Sequence, residues 1–241
     1  MPPSAAPWEP LPWDSNFLGF PVARLVGRGL SAAALPALVA AARASGLGLL
    51  YVVLEPGQAA LARAVQAAGG ELVDRKLTFV QQPLPASGAA PHPAIALTNE
   101  FTPQLEALAW QSGAYSRFRL DGRFGPGVFR GLYSEWLRKA LAGVLARQVL
   151  VWRGGQGQEL GLLTLGEADG RAAIGLLAVD AAARGQGVGQ ALVRAAGQLA
   201  GAAAYPALQV ATQGANAPAG RLYRKCGFAL AHEAHIYHCW L

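Results

Sequence analysis

The chain has 241 residues, of which 53% are hydrophobic and only 14% charged, and it carries a formal net charge of +6. That balance supports one large or two modest folded domains and excludes a disordered, charge-rich chain. Its 17 arginines and 3 lysines are scattered without a basic run, so no nucleic-acid partner is expected, and the surplus suits anionic small molecules equally well. Cys226 and Cys239 give neither a disulfide framework nor a C-x-x-C metal spacing. The first eight residues lack the cationic and apolar regions of a secretory signal, and the apolar stretch 47–54 is too short to span a bilayer. The expectation is a cytoplasmic protein with no membrane partner.

In chain order, the pattern reads as a strand (21–26), a helix (about 33–45), a strand (49–54), a helix (about 58–68) and a strand (72–80). Pro36 is compatible with the first helix only in its first turn, and Gly69-Gly70 supplies the stop before the last strand. This is an α/β unit over 1–81. A Pro-rich linker is expected over 82–94, its core 82–93 holding four prolines among small residues. A second domain follows over 95–241. It opens with a short strand (95–98) and a helix capped by Thr102 with Pro103 at its first position. A helix over about 129–145 follows, with Leu132, Trp136 and Leu141 on one face. Strands at 149–153, 159–165 and 172–179 come next, joined by turns at Gly154-Gly155 and Asp169-Gly170. Helix 188–199, strand 207–212, a helix after Asn216 and a final strand complete the order β-α-α-β-β-β-α-β-α-β. His232, His235 and His238 invite a metal reading, but strand alternation turns His235 away from the other two, and no metal is expected.

The most informative segment is Arg184-Gly185-Gln186-Gly187-Val188-Gly189-Gln190, between an apolar strand and an amphipathic helix. Glycines at alternate positions let backbone amides converge, and the positive end of the next helix adds to them, so the segment suits a phosphate group. Taken alone, the same glycines would serve equally as a tight strand-to-helix turn. A Walker loop would place Lys-Ser/Thr where Gln190 and Ala191 stand, and a dinucleotide fingerprint would place glycine at Gln190. No acidic residue occurs between Asp180 and Glu233, whereas Arg184, Arg194, Arg221, Arg224 and Lys225 do, a field suited to a polyanion.

This R-x-x-G-x-G pattern, followed at the expected distance by Asn216-Ala-Pro-Ala-Gly-Arg-Leu-Tyr-Arg-Lys-Cys-Gly-Phe228, resembles the GCN5-related N-acetyltransferase superfamily (GNAT) over residues 95–241. The resemblance implies an α/β fold with a mixed, mostly antiparallel sheet flanked by helices, a smaller α/β N-terminal domain that contributes to the acceptor site, and acetyl-CoA as co-substrate. It implies that residues 184–190 hold the pyrophosphate with Arg224 nearby, that Asn216 lies against the pantetheine arm, and that backbone groups of Leu177, Ala178 and Val179 face the thioester. It also implies that Tyr223 stands near the sulfur, where a phenol can act as general acid. The strand Gly175–Val179 lacks the carboxylate that many relatives place there, so no general base is assigned. Cys226 is not expected to be a nucleophile.

Acceptors in this superfamily bind to the N-terminal region and the loop between the first two helices. Here that loop, 113–124, contains Tyr115, Arg117, Arg119, Asp121 and Arg123, which suit an anionic acceptor through paired N–H donors. Phe118 and Phe124 could stack on a base or sugar, or be core. Asp74 and Asp121 are candidates to orient an amine or a water, or are salt-bridge or turn residues. Segments 13–20, 116–119 and 210–214 and the pair Tyr133 and Trp136 look like the branch of the superfamily that acetylates the 4-amine of TDP-linked amino-deoxy sugars. Transfer to another amine (a protein N-terminus, a small amine or an antibiotic) and a non-catalytic CoA-binding module remain alternatives, and relatives are often homodimers.

Overall fold

A computed structural model describes residues 7–25, 30–85 and 91–241. Among the described residues ten strands and eight α-helices form two compact units, one of residues Met1–Lys76 with Glu233–Leu241 and one of Leu77–His232. The division falls inside β4 (Glu71–Gln81) and β10 (Ala229–Trp240).

In the first unit the strand order is β1 (Trp8–Pro10), β2 (Val22–Leu25), β3 (Leu49–Leu54), β10. β2 and β3 run parallel, as a helical crossover requires, and α2 (Leu35–Ala44) supplies it. The flanking pairs are antiparallel, from Trp8↔Leu25 on one side and from His235↔Leu54 to Trp240↔Leu49 on the other. That last pairing is why Glu233–Leu241 belongs with the N-terminal unit. Its core joins Leu35 and Val39 of α2 to Leu50 and Val52 of β3, Val65 of α3 (Ala59–Ala67), and Tyr237 and Cys239 of β10. Pro36 stands in the first turn of α2, as expected. α1 (Pro12–Leu18) and β1 had no sequence expectation. Val26, at the end of the expected strand 21–26, lies outside the described residues.

In the second unit the order is β9 (Leu208–Gln213), β8 (Arg171–Val179), β7 (Glu159–Ala168), β6 (Gln148–Arg153), β5 (Ile95–Leu97). Of these four pairs β8–β9 is parallel, and β5–β6, β6–β7 and β7–β8 are antiparallel. The sheet is therefore mixed and mostly antiparallel. The β7–β8 hairpin turns through Asp169 and Gly170 with φ of 54° and 71°, the mirror-image turn that matches strand twist. α4 (Pro103–Ser112) starts where Thr102 accepts the Leu105 N–H at 3.1 Å, and it packs on β7 and β8. α7 (Val188–Ala202) lays Leu192, Val193 and Ala196 on Leu163, Leu165, Ile174 and Val210. α6 (Val128–Leu141) stops four residues before the expected end because Gly143 adopts φ 77°, the left-handed stop that glycine favours. Residues 86–90 of the expected linker lie outside the described residues, while its described ends are packed. Leu84 sits on the core, and His92 stacks on Trp152 at 4.3 Å.

Candidate active site

Strand β8, which leads into the glycine loop, is interrupted. Leu163 of β7 pairs with Leu177 and Leu165 pairs with Ile174, so Thr164 alone faces both Gly175 and Leu176. This is a β-bulge: one extra residue enters β8 and the ladder breaks locally. The buried Thr164 hydroxyl oxygen accepts the Leu176 N–H at 2.8 Å. The β8–β9 ladder runs from Ala172↔Leu208 to Ile174↔Val210 and ends there, although β8 continues to Val179 and β9 to Gln213. Beyond the bulge Leu177, Ala178 and Val179 pair with β7 on one edge only. Their other edge stands clear of the β8–β9 ladder, where backbone donors and acceptors suit an extended ligand.

After β8, Asp180 caps a 3-10 turn (Ala181–Ala183) by accepting the Ala182 N–H at 2.9 Å. The exposed loop Arg184–Gly187 then enters α7. Gly185 and Gly187 have φ of 77° and 82°, and a Cβ at either would meet nothing within 4 Å. The left-handed backbone, rather than lack of room, is what requires glycine there. Gly189 differs, since it lies in the helix, with space for a Cβ only 3.3 Å from the Leu222 Cδ2. The first N–H groups of α7, a 15-residue helix with no acidic residue in its first turn, are oriented for an anion. Arg184 is tied back, its Nε donating to the Val179 carbonyl at 3.1 Å and its Nη2 to Gln111 Oε1 on α4 at 3.2 Å. Gln186 donates its side-chain amide to the Ala182 carbonyl at 2.9 Å, and Gln190 is half-buried in the first turn.

α8 (Ala217–Lys225) follows β9. Its cap is Asn216, whose Oδ1 accepts the Ala219 N–H at 3.2 Å. Asn216 thus holds the helix start with its oxygen, leaving its amide N–H groups as donors. Tyr223 is only 4% exposed, its ring 5.8 Å from both Phe79 and Phe228. Burial, with a smaller contribution from Cys226, holds its phenol well above the ordinary range, so it is protonated throughout neutral pH. Burial raises the Cys226 thiol as well, which makes it a poor nucleophile. Arg224 is exposed, its guanidinium 5.2 Å from the Phe79 ring centroid.

The Arg-rich segment folds around an aromatic cluster. Ser116 caps α5 (Arg117–Leu120) by accepting the Phe118 N–H at 3.3 Å. Phe118 and Phe124 are buried 5.2 Å apart, Phe118 meets Trp136 edge-on at 6.4 Å, and Tyr133 lies 4.9 Å from both Phe129 and Trp136. Phe118 and Phe124 are therefore core, not faces offered to a base. Arg117 lies over Phe118 at 4.6 Å, and the exposed Arg119 lies over Phe129 at 5.6 Å. Asp121 takes a two-point ion pair from Arg123, at 2.9 Å to Nε and 3.2 Å to Nη2. It also accepts the Arg123 backbone N–H at 3.1 Å, so it is a turn and salt-bridge residue. Tyr115 is half-buried beside these residues in sequence, whereas Asp74 stands half-buried on β4 in the first unit.

The fold thus brings Leu177–Val179, the loop 184–190 and the capped α8 onto consecutive elements of one unit. Sequence reasoning missed Thr164, Gln111 and the bulge. Gly175 in an otherwise apolar strand was the available signal for the last. Among the described residues no group of three or more His, Cys, Asp or Glu could hold a metal ion. His235 instead meets Glu233 at 3.1 Å, and buried His238 stacks on Tyr51 at 5.0 Å. Among the described residues no helix is long and apolar enough to cross a membrane.

A family model described as the acetyltransferase (GNAT) domain matches residues 146–230. Over 226 residues the chain is 30% identical to the dTDP-fucosamine acetyltransferase of Escherichia coli O6:H1, covering 93% of this chain and 94% of that protein. Among solved structures it is similar to a GCN5-related N-acetyltransferase from Sphaerobacter thermophilus, with a TM-score of 0.63 at 15% identity over 97% of this chain and 76% of that one. A second from Kribbella flavida gives 0.54 at 15% identity, covering 90% and 80%.

Proposed function

The chain belongs to the GNAT acetyltransferase family and is an N-acetyltransferase, and from that premise we propose that it transfers the acetyl group of acetyl-CoA to the 4-amine of a nucleotide-linked amino-deoxy sugar. One observation carries the donor half of this reading: an interrupted strand with a free edge runs directly into a loop of left-handed glycines at a helix N-terminus. The chemistry of these donors fits coenzyme A. In this reading the loop N–H groups, with Arg184 released from Gln111, hold the pyrophosphate, and Arg224 adds positive field. The Leu177–Val179 edge and the Asn216 amide hold the pantetheine arm.

Acetyl-CoA supplies an activated carbonyl. The chain's own part begins with orientation, because holding both substrates makes the amine's attack effectively intramolecular. A backbone N–H of Leu177–Val179 polarises the carbonyl oxygen. Tyr223, kept protonated by burial, gives the departing sulfur its proton. Asp121 is held by Arg123 and takes no part as base. No carboxylate or histidine stands on Gly175–Val179, so this strand supplies no base, and in this reading water takes the amine's proton.

For the acceptor, support comes from the relative named for dTDP-fucosamine and from the exposed Arg119 of the α4–α6 segment, whose guanidinium suits a diphosphate. A thermal-shift series tests both halves, because a ligand that binds only the folded state raises the midpoint. Stabilisation by acetyl-CoA and separately by TDP-sugars is expected. Stabilisation by acetyl-CoA with indifference to every TDP-sugar overturns the acceptor.

A further inference from the structure

We propose that Thr164 is a positioning residue for the acyl donor: its hydroxyl holds the β8 bulge that keeps the Leu177–Val179 edge open. The inference rests on the acetyl-CoA reading above. Three observations on separate elements meet at this residue. Thr164, 3% exposed, accepts the Leu176 N–H at 2.8 Å. Across from it, a Cβ on Gly175 would stand 2.8 Å from the same hydroxyl oxygen, so glycine is what lets the bond form. The β8–β9 ladder ends at Ile174↔Val210, immediately before these residues.

The bulge also resets which residues face the core. Ala172 and Ile174 before it, and Leu177 and Val179 after it, all pack against the core beneath α7. Strict alternation would continue with 176 and 178 instead, because a one-residue slip exchanges the two faces of a strand. The extra residue therefore decides which backbone groups of 177–179 point along the open edge. Its amide needs an acceptor in a buried place, and the Thr164 side chain is that acceptor. Valine has the same shape and cannot accept; serine can.

The test compares wild type, Thr164→Val, Thr164→Ser and Gly175→Ala. Calorimetry measures binding of acetyl-CoA and of 3′-phospho-ADP, which carries the pyrophosphate without the pantetheine arm and so reports on the loop 184–190 alone. Thr164→Val is expected to weaken acetyl-CoA about tenfold, the scale of an unpaired buried donor, while 3′-phospho-ADP stays within about twofold. Thr164→Ser restores binding. Gly175→Ala disturbs the same hydrogen bond from the opposite strand and reproduces the valine result, so it decides the matter should Thr164→Val not fold. Wild-type acetyl-CoA affinity in either disruptive variant overturns the proposal. Equal loss of both ligands also overturns it, because that marks a merely structural residue. Wild-type protein that binds neither ligand refutes the acetyl-CoA reading itself, and the inference with it.

Discussion

Gly187→Ala and Gly189→Ala separate two reasons for glycine in one loop. Gly187 sits at φ 82° as the cap of α7, with nothing within 4 Å of the place a Cβ would take, so alanine meets no atom and pays only for left-handed backbone. That strain is about 1–2 kcal/mol for an L-residue. It is partly offset in stability, by about 0.4–1 kcal/mol, because alanine also narrows the unfolded ensemble. If the loop relaxes to negative φ, its N–H groups turn away, and restoring them on binding costs the same 1–2 kcal/mol. Affinity for acetyl-CoA should then fall about 5–30-fold. Gly189 lies inside the helix, where alanine is favoured by about 0.5–1 kcal/mol, and its Cβ meets the flexible tip of Leu222 at 3.3 Å and the Val179 Cγ2 at 3.5 Å, the latter an ordinary contact. Affinity in Gly189→Ala should stay within about twofold of wild type. Titration calorimetry with acetyl-CoA reads both. Undiminished binding in Gly187→Ala, or an equal loss in Gly189→Ala, refutes the argument from backbone conformation.

Tyr223→Phe removes one hydroxyl from a buried ring and should lower turnover by about 100-fold or more while acetyl-CoA affinity changes little; unchanged turnover removes Tyr223 from the chemistry. The same variant has a pH signature. The folded phenol ionises above its ordinary range while the unfolded one ionises near pH ~10, so the folded state binds more protons above that pH and stability falls as pH rises. Denaturant titrations at about pH 9 and 10.5 should show a larger loss for wild type than for Tyr223→Phe, and equal losses would contradict the burial argument. Asp121→Asn breaks the ion pair to the partly exposed Arg123 and should cost about 1 kcal/mol, leaving the shape of the pH–rate profile intact. A profile that loses a limb in this variant would instead make Asp121 the base.

Much of both units is legible in the sequence because local signals agree with the fold. The run Leu49–Leu54 is apolar enough to be a buried strand, and β3 has those bounds. Thr102 and Pro103 mark the start of α4 because a cap and a first-turn proline are local chemistry. The glycines of the 184–189 loop and the Asn216 segment are short-range patterns of the same kind. The bulge is different. Residues 172–179 are apolar throughout apart from Gly175, so the sequence reads as one continuous buried strand; Gly175 is the local hint, and the pairing with β7 is what locates the extra residue. The sequence leaves Phe118 and Phe124 open between core and ligand stacking because Phe118 packs on Trp136, 18 residues further along the chain, and Phe124 packs on Phe118. Arg184 was readable as a phosphate ligand, but its bond to Gln111 joins residues 73 apart.

Acceptor choice is read by incubating purified protein with acetyl-CoA and TDP-4-amino-4,6-dideoxygalactose, with a polyamine and a peptide amine as competing acceptors. Mass spectrometry then follows which amine gains an acetyl group as free CoA appears. One acetyl group on the sugar nucleotide, in step with CoA release, and neither competitor modified is the expected result. Acetylation of the polyamine or peptide with an untouched sugar nucleotide would contradict it.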